Sequence, residues 1–143
     1  MDVVLDDRLL IEELLVGLDR RRRHVQLFTT TYWYYRACRA AMAGGGGHLS
    51  GPFRELSEEA QQRAIASMLE LPETIGLAAP RAVVPLMVQV AGRHPTLNVL
   101  NVEAVATALH LGATVWLSPK GSQGLLAGVL DTEGVAWDTV TQT

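Results

Sequence analysis

Cys38 is the only cysteine in 143 residues, so neither an internal disulfide nor a metal site built on several thiolates can form. Long apolar runs are missing too. Nothing approaches the roughly 18 to 20 apolar residues that cross a bilayer. The chain also opens on Asp2 instead of a basic stretch before an apolar core, so neither a membrane partner nor export is expected. It reads as a cytoplasmic chain. Positive charge is not in excess: a net charge of −3 offers nucleic acid no general attraction, and any RNA contact must rest on a local patch. The nucleophile elbow, the Gly-rich dinucleotide fingerprint and the spacings of zinc ligands are absent, which removes the enzyme classes that depend on them. Charged residues make up only 19% against 48% hydrophobic, so disorder is not expected and a broad apolar face, such as that of a homodimer, is.

What is present fits one domain over 1–143, long enough to bury a core without staples. The stretch that organises it comes first. Val3, Val4 and Leu5 run into Asp6 and Asp7, and Leu9, Leu10, Ile11, Leu14, Leu15 and Leu18 then recur at helical spacing. This predicts a strand covered on both faces, stopping at two carboxylates, then an amphipathic helix. The acids either stand at the carboxyl end of a strand, where ligands of open α/β sheets collect, or serve as a helix cap at Asp7 and a solvated loop acid at Asp6.

Arg20, Arg21, Arg22 and Arg23 follow, four of the twelve Lys and Arg residues, as either a phosphate-binding patch or a solvated loop at a helix end. Val25 to Phe28 predicts a second strand, and Thr29 to Thr31 offer caps for a helix carrying Tyr32, Trp33, Tyr34, Tyr35, Arg36 and Arg39. Four consecutive aromatics must point around more than half of that helix, so some face a partner or a cleft. Gly44 to Pro52 reads as a flexible Gly-rich connection; with no preceding strand and no closing Gly-Lys-Ser/Thr it is not a phosphate-binding loop.

Ser57 with Glu58 and Glu59 caps a helix that stops at Pro72, and Thr74 to Ala78 predicts a third strand. Pro80 opens the next helix, which Pro85 either ends or kinks. A helix from about Asn98 ends at Gly112; Val115 to Leu117, Leu125 to Glu133 and Val135 to Val140 then predict strand, helix and strand. The alternation β-α-β-α-α-β-α-α-β-α-β implies an α/β fold: a three-layer domain with a mostly parallel five-stranded sheet and helices on both faces.

Three pieces in order, VVLDDRLLIEELLVGL, NVEAVATALHLGATVWLS and GLLAGVLDTEGVAWDTV, resemble the PIN domain, a small α/β ribonuclease fold common as the toxin of bacterial toxin–antitoxin pairs. The resemblance covers both ends of the chain and is poor from Gly44 to Arg93. It implies a metal-dependent ribonuclease in which three or four carboxylates hold one or two Mg or Mn ions, because a hard cation takes oxygen ligands and a phosphodiester needs its developing charge neutralised. The first acid of that cluster falls on Asp6, with Asp7 beside it, and Glu103 is the expected second ligand and catalytic group.

The other acidic positions are not met. The helix after strand two offers no carboxylate, only Thr30 at its cleft end and aromatics beyond. The third position lands on Asn101, two residues before Glu103 and roughly 160° away from it on a helix. The fourth meets Ser118, Pro119 and Lys120. The resemblance therefore implies either a nuclease of weak or lost activity, with Thr30, Asn101 and Ser118 lining the cleft, or a binding module on the same fold. The partners implied are a second copy, an antitoxin-like protein or RNA, with no metal at all if the site is degenerate.

Overall fold

The computed structural model describes residues 1–18, 24–42 and 57–141. The patch at Arg20 to Arg23 and the Gly-rich stretch 44–52 lie outside the described residues. Among the described residues the elements follow in the expected order: β1 (Asp2–Leu5), α1 (Asp7–Leu15), β2 (Gln26–Thr29), α2 (Thr31–Met42), α3 (Glu58–Leu69), β3 (Ile75–Leu77), α4 (Pro80–Arg93), α5 (Val99–Leu111), β4 (Thr114–Leu117), α6 (Leu125–Thr132) and β5 (Trp137–Thr139), with a 3-10 turn at Gly121–Gln123.

The sheet runs β3-β2-β1-β4-β5. All of its pairings are parallel, where the sequence implied only a mostly parallel sheet. β1 is central, and its pleat divides the core. Val3 and Leu5 point to one face, where Leu10 and Ile11 of α1, Ala37 and Ala41 of α2 and Met68 of α3 cover them. Val4 points to the other and meets Val90 of α4, Val105 of α5 and Leu130 of α6. This period of two explains why the strand reads as an unbroken apolar run: both faces are buried.

The ends of the helices follow local chemistry. Ser57 Oγ accepts from Ala60 N at 3.2 Å and caps α3. Asn98 caps α5, which ends at Gly112 in the left-handed conformation (φ 62°) that a residue with a Cβ rarely adopts. Pro85 does not end α4. The helix runs through it, with Pro85 and Arg81, whose carbonyl loses its amide partner, both exposed. In α5, Val102 to Ala108 are buried without interruption, because the helix is packed against sheet and neighbouring helices on most sides. Among the described residues no helix is long and apolar enough to cross a membrane.

Candidate functional site

The chain leaves β1 towards β2 and β3 on one side and returns through α4 and α5 to β4 on the other. The strand order therefore reverses between β1 and β4, the place where parallel sheets open a crevice. The register pairs Leu5 with Trp116, so the residues just beyond the strands, Asp6 and Ser118, arrive side by side. Sequence spacing alone could not bring together residues 112 apart.

Asp6 is only 2% exposed, and both of its oxygens are occupied. Oδ1 accepts from Leu9 N at 2.9 Å, which makes Asp6 the cap of α1. Oδ2 accepts from Ser118 N at 2.8 Å and from Ser118 Oγ at 2.7 Å. Burial pushes the Asp6 carboxyl above its ordinary value; the hydrogen bonds from Leu9 and Ser118 pull the other way and do not overcome it. The reading of Asp7 as cap and Asp6 as a solvated acid is thus corrected: the buried acid is the cap, because its side chain turns back over the first turn of α1.

Asp7 is buried as well, and its Oδ1 accepts from Arg8 N at 2.9 Å. Arg36 Nε of α2 lies 3.1 Å from Oδ2, close enough for an ion pair, yet Oδ2 accepts no hydrogen bond. These groups line a cleft of about 200 Å³ whose other walls include Arg8, Trp33, Asn101, Lys120 and Gly121. A Cβ on Gly121 would collide with Asp6 Oδ2, so only glycine lets the loop after β4 close over the acid.

Of the residues expected in one cleft, Asp6, Asp7, Asn101 and Ser118 are brought together. Glu103 and Thr30 line a neighbouring cavity instead. Asn101 and Glu103 do point to different sides of α5, as the helical angle requires. The side facing Asp6 is that of Asn101, so the expected pairing of Asp6 with Glu103 is corrected. Glu103 Oε1 accepts from Tyr32 N at 2.9 Å, and Thr30 Oγ1 accepts from Trp33 N at 3.0 Å, so both serve the exposed amides at the start of α2. Sequence reasoning missed Arg8, Arg36 and Gly121. The first two were signalled only by their spacing, one residue after Asp7 and three after Trp33, and Gly121 by nothing short of the closed loop.

Of the four aromatics on α2, Trp33 is buried and Tyr34 half-buried, its hydroxyl donating to Met68 O at 2.9 Å, while Tyr32 and Tyr35 are exposed. The helix thus divides its aromatics between core and surface.

VapBC-1 from nontypeable Haemophilus influenzae superposes on this chain with a TM-score of 0.62, over 97% of this chain and 98% of that one, at 12% identity. The fold is PIN-like. At such identity the likeness concerns the fold. No protein-family model matches the chain. No curated protein matches it either.

A PIN-like cleft implies a divalent cation held by carboxylates, and the donors here do not fit one. Asp6 accepts three hydrogen bonds from its neighbours, Asp7 faces the Arg36 guanidinium, and Arg8 and Lys120 line the same walls. Among the described residues no three His, Cys, Asp or Glu side chains are grouped to hold an ion. A hard cation needs several free oxygens, and among the described residues Asp7 Oδ2 is the one carboxylate oxygen of the cleft without a hydrogen bond.

Proposed function

We propose that this protein acts by binding and not by metal-dependent cleavage: a PIN-like module that joins an antitoxin-like protein. The observation that carries this reading is the state of Asp6, whose carboxylate is taken up by Leu9 N, Ser118 N and Ser118 Oγ. A carboxylate offers about four lone pairs, so three hydrogen bonds leave Asp6 about one, on Oδ1, for magnesium or manganese. The partner class is supported by the likeness in fold to VapBC-1, a PIN-domain toxin with antitoxin. Exposed Tyr32 and Tyr35 on α2 supply the large, rigid side chains that protein interfaces favour. A homodimer is a further arrangement that the same aromatic surface would serve.

A residual Mg- or Mn-dependent ribonuclease is the second reading, and the buried Asp7 Oδ2 without a hydrogen bond favours it. In that reading Asp6 and Asp7 are the ligands, Asn101 and Ser118 orient water, Glu103 has no part at the metal, and Arg20 to Arg23 would contact RNA. Manganese titrated by calorimetry into the wild type and into Asp6→Asn, with single-stranded RNA as substrate for both, separates the two. The expected result is binding no tighter than about millimolar, as for a hard cation with too few oxygen ligands, and no cleavage by either protein. Manganese-dependent cleavage by the wild type that disappears in Asp6→Asn would overturn the binding-module reading.

A further inference from the structure

The cavity beside the cleft is the larger of the two, about 330 Å³, and opens where β2 and β3 end. Its walls are mostly apolar, from Val83 and Met87 of α4 and Val99 of α5. Two polar groups of α5 interrupt them. Glu103 is 8% exposed and Thr107, one turn further along the same helix face, is 2% exposed. Glu103 gives Oε1 to the Tyr32 amide. Neither its Oε2 nor the Thr107 hydroxyl has a hydrogen-bond partner among the described residues. Both atoms belong to residues lining one cavity large enough for a small molecule, and their lone pairs and the hydroxyl proton are left for whatever fills it.

The chemistry of the lining selects the occupant. A carboxylate oxygen only accepts, and no Lys, Arg or His is among the lining residues, so the matching donor must arrive with the ligand. An anion would meet Glu103 and be repelled. A neutral alcohol could donate one hydrogen bond, but an ammonium donates to the carboxylate with charge assistance and has a further N–H for a hydroxyl. The apolar walls ask for a hydrocarbon body behind that head. We propose that this cavity is a binding site for a primary amine on a short apolar stem, its ammonium held by Glu103 Oε2 and Thr107 Oγ1 and its stem lying against Val83, Met87 and Val99. This site is independent of the cleft at Asp6 and of the reading proposed for it.

Pentylamine, pentanol and pentanoate, matched in length and differing in head group, test the proposal by calorimetry at pH 7 and constant ionic strength, with amide chemical shifts to locate binding. Pentylamine is expected to bind, to shift the Tyr32 amide, and to bind at least about tenfold more tightly than pentanol; pentanoate is expected not to bind. Glu103→Gln keeps an oxygen for the Tyr32 amide and removes the charge, so affinity for pentylamine should fall about tenfold. Thr107→Val, close in shape, should weaken it a few-fold. No pentylamine binding by the wild type overturns the proposal. So do equal binding of pentanol, shifts confined to the cleft at Asp6, or undiminished affinity in Glu103→Gln. If Glu103→Gln fails to fold, undiminished affinity in Thr107→Val overturns it.

Discussion

The two cavities at the carboxyl ends of the strands each hold a buried carboxylate that satisfies the start of a helix: Asp6, with Asp7 beside it, for α1, and Glu103 for α2. Their neighbours make them different. Asp6 receives three hydrogen bonds, and Arg8, Arg36 and Lys120 stand on the walls around it. Glu103 receives one, among apolar side chains and threonines. The position of an acid in a parallel sheet therefore does not make it a ligand-binding group. What matters is how many of its lone pairs the surrounding structure leaves open.

The largest expected effect comes from disturbing the sealed acid. Gly121→Ala places a methyl group against Asp6 Oδ2, and because that oxygen is held by Ser118 it cannot yield without losing hydrogen bonds. Urea unfolding should show a loss of about 3 kcal/mol, at the upper end of what overpacking costs. A loss below about 0.5 kcal/mol would mean that the loop after β4 is not closed over Asp6.

Next comes the same chemical change made in each cavity. Asp6→Asn must turn an amide N–H towards Leu9 N or Ser118 N, setting donor against donor, and should cost about 2 kcal/mol. Glu103→Gln can keep its carbonyl on Tyr32 N and direct the amide into open space, and should stay within about 0.5 kcal/mol of the wild type. Equal losses in the two variants would erase the distinction between the cavities.

A third carboxylate, outside both cavities, sharpens the contrast through pH. Glu133 accepts from Arg93 Nε and Nη2, each at 2.8 Å, and lies 2.7 Å from His94 Nε2. The Arg93 hydrogen bonds above all lower its pKa to about 2. A carboxyl depressed in the folded state adds stability in full above its unfolded value of about 4.3, and that stability is lost as pH falls through the folded value. Glu133→Gln should therefore cost about 1 kcal/mol near pH 7, and the difference from the wild type should shrink from about pH 4 towards about pH 2. Asp6 is shifted upward by burial, so the sign reverses: its ionisation is resisted by the folded state, and its contribution falls as pH rises above its unfolded value. Chemical-denaturation midpoints at pH 3, 5 and 7 for the wild type, Asp6→Asn and Glu133→Gln should give difference curves of opposite slope. Parallel curves would show that the two acids do not sit in opposed environments.

Much of the architecture is legible along the chain because each element carries its own period. The apolar run of Val3 to Leu5, the leucines of α1, Ser57 before α3 and Gly112 after α5 are local signals, and each element appears where its signal stands. Boundaries drift by a residue or two, as at β2, which runs Gln26–Thr29 and not from Val25, since strand ends depend on where the neighbouring ladder stops. Pro85 leaves two outcomes open along the chain, an end or a helix continuing through it, because the cost of the lost hydrogen bond depends on exposure, which is a property of the packed helix. In the candidate site, Asp6, Asn101 and Ser118 are legible as residues following strands or facing one side of a helix. Glu103 is not, since the face of α5 that meets the cleft depends on how that helix is rotated against the sheet.

By itself the sequence determined the order and kind of the elements, their parallel arrangement, and the placing of an acid after the central strand, because hydrophobic period and capping chemistry act between residues close in the chain. Only the tertiary structure decided what that acid can do. Ser118 reaches Asp6 across 112 residues, Glu103 caps a helix across 71, and Arg36 faces Asp7 from another helix. The free lone pairs of a buried carboxylate depend on such partners, and contact between distant segments exists only once the sheet has set its strands side by side.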